Sequence, residues 1–403
     1  MRSIRPLLAA TGLAAALALT ATACGPTEDK ASGGDKASAP AASTPAGDAS
    51  AGGASAGNGD VTLPKDIADK LKEHGVDPEK WKNGEWQNWD KDKWLREAKD
   101  FVNPVIEGLW KPERMRSAKD PIKTASASDL SGGQNVSDPV PRPVQAQREK
   151  TPYTKHGAPV GKLFFDSPKG HMVCSGTVVK DVNNPGKSNL VWTAGHCVHA
   201  GGAGGWYRNL IFVPAYNNNA LSPTALQAAP PQEEAPYGAY WADWISTSGE
   251  WIRGGGPTGG NGAPYDYAVM HVKPEKGRKS LEETVGTAVP VDFNAPDTRR
   301  ISAMGAWGYP AGPPYDGYVM HKCVDRPGRL SLSPSTPAMH RIGCTMTGGS
   351  SGGGWFMNRA GGGLSLVSNT SIGPVTHGWL AGPRLGKGAE QIYTMMSKRF
   401  GSS

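Results

Sequence analysis

Two adjacent serines, Ser350 and Ser351, lie among five glycines in the run from Met346 to Trp355. A serine hydroxyl becomes a useful nucleophile when a tight turn exposes it and backbone N–H groups stand ready for the oxyanion it generates. The pattern G-x-S-G-G is filled here by Gly349, Ser350, Ser351, Gly352 and Gly353. Gly349 has no side chain to obstruct its own N–H, which makes it one oxyanion donor, and the N–H of Ser351 is the second. Only Ser351 has G-x before it and G-G after it, so Ser350 is not the nucleophile. Gly/Ser runs also form flexible spacers, but a spacer does not belong between Cys344 and the apolar Trp355-Phe356-Met357.

Such a serine needs a base, and the base needs a group to orient it. His196 sits in T-A-G-H-C (Thr193 to Cys197), after an apolar run and beside a cysteine that can pin it. A general base requires a ring fixed within reach of the hydroxyl. Asp266 opens the run D-Y-A-V-M-H-V, where a buried carboxylate would hold one imidazole tautomer. Asp243, in W-A-D-W, is the competing acid and is set aside because no comparable strand follows it. His199 lies three residues after His196, but no matched cysteine or acid cluster accompanies the pair, so no metal site is expected.

These motifs, in the order His, Asp, Ser, resemble those of the trypsin-like (chymotrypsin-fold) serine peptidases over residues 151–403. The resemblance implies two six-stranded antiparallel β-barrels, with His196 and Asp266 from the first and Ser351 from the second. It implies a protein or peptide substrate and an acyl-enzyme on Ser351, with His196 as base and Asp266 as its orienting group. No cofactor is expected. It also implies a Cys174–Cys197 bridge around the histidine loop, which leaves Cys323–Cys344 as the second pair. Each bridge would contribute roughly 3 kcal/mol through loop entropy.

The departures from the pattern are informative. His196 and Asp266 are 70 positions apart, long for the family, and the surplus, Asn217–Gly262, reads as surface loops. Ser350 stands where many animal relatives carry an aspartate that pairs with a freed N-terminus, so that activation switch is not expected. Thr345 occupies the place of the acid that selects basic residues. Leu366-Val367-Ser368-Asn369, matched to the pocket strand, has no histidine of the kind glutamate-specific relatives use. Thr345, Ser368 and Asn369 are therefore the expected pocket residues, with an uncharged or small apolar preference.

The elements that must position these groups read as β. The chain holds 54 Gly and 34 Pro among 403 residues, and from Thr151 short apolar runs alternate with Gly/Pro/Asn turns. Expected strands are 162–165, 172–179, 190–193, 210–214, 267–272, 301–307, 317–321, 338–344, 354–357 and 364–369. A closing helix spans 388–399, with Ile392, Met395 and Met396 on one face and Lys398 and Arg399 suited to its C-terminal end.

The front of the chain is different. Residues 1–23 read as an export signal, with Arg2 and Arg5, an apolar run from Leu7 to Leu19, and Ala21-Thr22-Ala23. Cys24 follows directly and resembles the lipid-modified first residue of a bacterial lipoprotein, although Ala21 stands where leucine is usual. An odd cysteine among five fits that role, and the expected location is the outer face of the cell membrane, or secretion. Residues 24–60 are an Ala/Gly/Ser-rich tether that cannot bury enough apolar surface to order itself.

Residues 61–116 form a small Trp-rich helical segment or pro-region. One helix carries Ile67 and Leu71, and a second, from Asp90, places Trp94, Ala98, Phe101 and Val105 on one side. Its tryptophans read as core, since a small segment needs large side chains. Residues 117–150 are a Pro-rich interdomain linker. A net charge of +7 with pI about 9.0 suits anionic surfaces, and without a nucleic-acid motif no nucleic-acid partner is expected. The monomeric peptidase has one rival from another class, a non-catalytic surface protein presenting the Trp-rich segment to cell-wall material.

Overall fold

The computed structural model describes residues 77–89, 98, 100–121, 124–132 and 136–401. The export signal, Cys24, the tether, the Ile67–Leu71 helix and residues 90–97 lie outside the described residues.

Among the described residues, seventeen strands can be followed in chain order. Three come from the front segment: β1 (Asp100–Val102), β2 (Thr124–Ala125) and β3 (Gln147–Arg148). Six build the first half: β4 (Val160–Ser167), β5 (Gly170–Val179), β6 (Leu190–Thr193), β7 (Arg208–Pro214), β8 (Tyr240–Thr247) and β9 (Ala268–Pro274). Eight build the second: β10 (Met304–Gly308), β11 (His321–Asp325), β12 (Gly328–Leu330), β13 (Met339–Cys344), β14 (Gly354–Asn358), β15 (Leu364–Asn369), β16 (Gly373–Pro374) and β17 (Gly378–Gly382).

The first half closes. Its strands run β8-β7-β4-β5-β6-β9, and β9 pairs back onto β8, giving a six-stranded antiparallel barrel. β4 and β5 form a hairpin whose turn ends at Gly170 (φ 107°), a left-handed position that glycine fills without strain. Leu163, Phe164, Val191, Trp192, Phe212 and Trp241 are buried there.

β8 corrects the reading of Asn217–Gly262 as surface loops. The strand is buried along its whole length, so it lacks the in–out alternation that marks a half-exposed strand. It also breaks register at Asp243, between Ala242 and Trp244, which a period-2 pattern does not reveal. Asp243 thus lies within a strand, its carboxylate 2.6 Å from His271 Nδ1 and 3.0 Å from Lys273 Nζ.

In the second half the hydrogen-bonded ladders among the described residues do not by themselves complete a cylinder. Its pairings give a five-stranded sheet, β15-β14-β10-β11-β3, and a three-stranded one, β12-β13-β17. The two are joined at β11 and β13 by the Cys323–Cys344 disulfide. β10 meets β14 through two residue pairs. The run 317–321 is not a strand; pairing starts at His321.

The front segment is stitched onto this body. β1 pairs with β8 where β7 leaves off, β3 extends the edge of β11, and β2 lies parallel to β16. Phe101, expected on a helix, belongs to β1 because that edge offers it both hydrogen bonds and burial. Trp81, Trp86 and Trp110 are buried in the core shared with the barrel. Trp110 Nε1 donates to Asn209 O at 2.6 Å. Nearby, Arg114 forms an ion pair with Asp166 at 2.7 Å. These three indoles are therefore core, as the small-segment argument expects, though the core they join is the barrel's. The C-terminal helix spans Lys387–Phe400 and buries Ala389, Tyr393 and Met396, while Met395 is exposed.

Candidate active site

His196 sits on a single 3-10 turn, Gly195–Cys197, directly after β6. Its position is over-determined. Cys197 is bonded to Cys174 of β5, and a Cβ on Gly195 would meet Thr247 Oγ1 at 2.7 Å and the Trp251 ring at 2.9 Å. The sequence places Asp266 just before β9, and the barrel closes it onto the histidine. Asp266 Oδ1 accepts from the His196 backbone N–H at 2.7 Å, and Oδ2 lies 2.7 Å from His196 Nδ1. Ser371 Oγ donates to the same Oδ2 at 2.6 Å.

Complete burial pushes the Asp266 carboxyl up, but the His196 charge and its hydrogen bonds, with help from Ser371, outweigh that and hold its pKa below the usual carboxylate range. An ionised carboxylate can only accept, so Nδ1 donates to Asp266. The other ring nitrogen, Nε2, is buried and has no hydrogen-bond partner among the described residues.

The serine turn is clamped from the barrel side. Ser175 of β5 donates its N–H to Ser351 O at 2.7 Å and its hydroxyl to Gly349 O at 2.9 Å, while accepting from Tyr309 N. Gly349 (φ 90°) and Gly352 (φ 77°) take left-handed conformations. A Cβ on Gly352 would lie 2.1 Å from Thr193 Oγ1 and 2.9 Å from Ala194 N, so the turn presses against the chain that leads into His196. Ser350 spends its hydroxyl on Thr347 O at 2.6 Å. The Ser351 hydroxyl, and the backbone N–H groups of Gly349 and Ser351, donate to no described residue.

Ser351 lines a cavity of about 310 Å³ walled by Met346, Ile372, Pro374, Trp379 and Leu380, with Ser371 in its wall. None of the three expected pocket residues lines it. Thr345 is tied to Ala146 N at 2.9 Å and Tyr315 OH at 3.0 Å. Ser368 donates to Pro383 O at 2.7 Å. Asn369 joins the two halves, accepting from Trp192 Nε1 at 3.0 Å and donating to Asp266 O at 2.9 Å. The wall lies slightly further along, at Thr370–Gly373, because β15 ends at Asn369 and the chain turns into the cleft only afterwards.

Ser175 and Ser371 were missed; a lone serine in C-S-G-T or N-T-S-I carries no distinguishing pattern. Asp120 and Thr124, which also line the cavity, come from the stretch read as linker.

Cys174, His196 and Cys197 lie close enough together to suggest a metal cluster. The two sulfurs are joined to each other, so they offer no thiolate to a cation.

A closed antiparallel barrel followed by a second β half, with a buried His–Asp pair beside a glycine-rich serine turn, is the architecture of a trypsin-like serine peptidase. No family model and no curated protein matches the chain. Among solved structures it is similar to a thermostable serine protease, AL20, from an extremophilic microorganism, at 34% identity over 60% of this chain and 98% of that one, with a TM-score of 0.48. It is also similar to protease Anisep from Arthrobacter nicotinovorans, at 31% identity over 62% and 99%, again with a TM-score of 0.48. With that identity over nearly the whole of each of those two proteases, and 60% to 62% of this chain, the chain belongs to the serine proteases of the trypsin-like fold.

Proposed function

We propose that the protein is an exported serine endopeptidase that cleaves protein or peptide substrates through an acyl-enzyme on Ser351. The reading rests above all on one observation, the unpartnered, buried Nε2 of a histidine whose other ring nitrogen is held by an ionised carboxylate.

His196 takes the Ser351 proton through Nε2 as Oγ attacks the carbonyl carbon, and Asp266 stabilises the imidazolium that results. The N–H groups of Gly349 and Ser351 receive the oxyanion, each such donor being worth about 10²–10³ in rate. His196 then protonates the leaving amine, and water repeats the cycle on the acyl-enzyme. Ser371 and Asn369 are positioning residues, holding Asp266 by its carboxylate and its carbonyl.

The walls formed by Met346, Ile372, Trp379 and Leu380 favour an uncharged, apolar side chain before the scissile bond. Export through residues 1–23, a lipid anchor on Cys24, a location on the outer face of the membrane and a monomeric state complete the proposal. Cell-wall contact through the tryptophans is not favoured, since Trp81, Trp86 and Trp110 are buried, Trp89 is half-buried and Trp94 lies outside the described residues.

The test is covalent labelling by a fluorophosphonate. Wild type is expected to label, and Ser351→Ala to lose both labelling and peptide hydrolysis while keeping its melting temperature. Labelling that persists in Ser351→Ala would sink the assignment.

A further inference from the structure

A peptide entering a cleft beside a sheet binds by adding itself as a strand to a free edge. Beside Ser351 that edge belongs to Ile372, Gly373 and Pro374, the residues that follow Ser371. One side of this strand is taken by β17, through the Ile372–Ala381 bridge and the Ala381 N–H bond to Ile372 O at 2.8 Å. The other side is occupied as well. Thr124 pairs with Gly373 and Ala125 with Pro374, in parallel.

The occupant is fitted to its place. Ala125 is 3% exposed and packs in one cluster with Ile372, Trp379 and Leu330. A Cβ on Gly348 would fall 2.0 Å from Asp120 Oδ2 and 3.0 Å from its Cγ. Gly348 has no positive φ, so its backbone does not require glycine; the lack of a side chain there makes room for Asp120. Asp120 and Thr124 share the cavity wall with Ser350 and Ser351. The flanks are anchored separately. Lys119 donates its N–H to His171 O at 2.9 Å. Beyond Ala125, Ser126 and Asp129 cap a short helix and Asp138 pairs with Arg329 at 2.8 Å.

We infer that Thr124–Ala125, with Asp120 seated against Gly348, is an intramolecular strap lying on the edge an extended peptide substrate must use, so that the strap and such a peptide exclude one another. This rests on reading Ser351 as the nucleophile of the cleft. A two-residue parallel ladder is a weak contact, and anchors on both flanks let it leave without undoing the fold. A peptide running three or more residues back from the scissile bond therefore binds against the strap, whereas a reagent that reaches only the serine does not.

The experiment separates the two readings. Fluorophosphonate labelling of the full chain tests the nucleophile. The strap is tested by the affinity of an uncharged tetrapeptide amide for the Ser351→Ala chain, which needs no turnover. Adding Ala125→Asp forces a carboxylate into the apolar cluster and should tighten peptide binding about tenfold or more. Pairing Ala125→Cys with Pro374→Cys, in-register neighbours, should abolish binding when oxidised and restore it on reduction; this second variant keeps the test valid if Ala125→Asp misfolds. A peptide affinity unchanged by the oxidised lock overturns the strap, whatever the labelling shows.

Discussion

In the first half of the molecule β8 and β9 pair along their length and shut a cylinder. In the second half, five strands and three strands lie in separate sheets joined at β11 and β13 by a disulfide. The site divides along the same line. His196 and Asp266, which must not move relative to each other, stand on the closed barrel and are wholly buried. Ser351 and the cavity stand among the sheets of the second half. The front segment settles on both halves, β1 on β8, β3 on β11 and β2 on β16.

The contrast can be broken most severely at its rigid end. Asp266→Asn keeps the shape of the buried pair but removes the charge that fixes the imidazole tautomer. Peptide turnover should fall about 10³–10⁴-fold with the fold intact by circular dichroism. A fall below about tenfold would mean that another group orients His196.

Next in size is Trp110→Ala, which tests whether the front segment is part of the barrel's core. With its indole buried and bonded to Asn209 O, removal should cost roughly 3–5 kcal/mol in urea unfolding. A neutral result would detach the segment from the body.

The third test addresses the open half. Cys323→Ala with Cys344→Ala removes a bridge spanning 21 positions and should cost roughly 3 kcal/mol. Hydrogen exchange should speed up in β11 and β13 while β4–β9 stay protected. Uniform loss of protection would show that the halves do not behave separately.

The smallest effect lies at the seam. Lys162 on β4 donates to Gly317 O from the second half at 2.8 Å, and its burial lowers its pKa to about 7. Between about 7 and the ordinary lysine value the unfolded chain holds a proton that the folded one does not. Stability therefore rises with pH across that window and levels off below it, by at most about 1.4 kcal/mol per pH unit. Lys162→Met should flatten that slope in a series of melting curves; an unchanged slope would mean that the ammonium stays charged in the fold.

The buried His196–Asp266 pair and the glycine-rich serine turn were legible because they are written in short, chemically demanding motifs. A serine turn needs glycines whatever surrounds it, and the histidine loop carries its own cysteine. The pocket was not legible in this way. Thr345, Ser368 and Asn369 were assigned by counting from motifs, and a count fails where the chain leaves its strand at Asn369 and turns into the cleft. β8 escaped because a strand buried on both faces and broken at Asp243 shows no period.

The sequence alone determined the order of the three reactive motifs, the turn that presents Ser351 and the β character of residues beyond 151, because each follows from local conformational demands. The tertiary structure alone decided that Ser175 clamps the serine turn, that Ser371 and Asn369 hold Asp266, that the first half closes into a barrel, and that a stretch resembling linker lines the cavity beside Ser351. These depend on residues a hundred or more positions apart meeting at hydrogen-bond distance. Such meetings are set by strand register and burial, which no local pattern encodes.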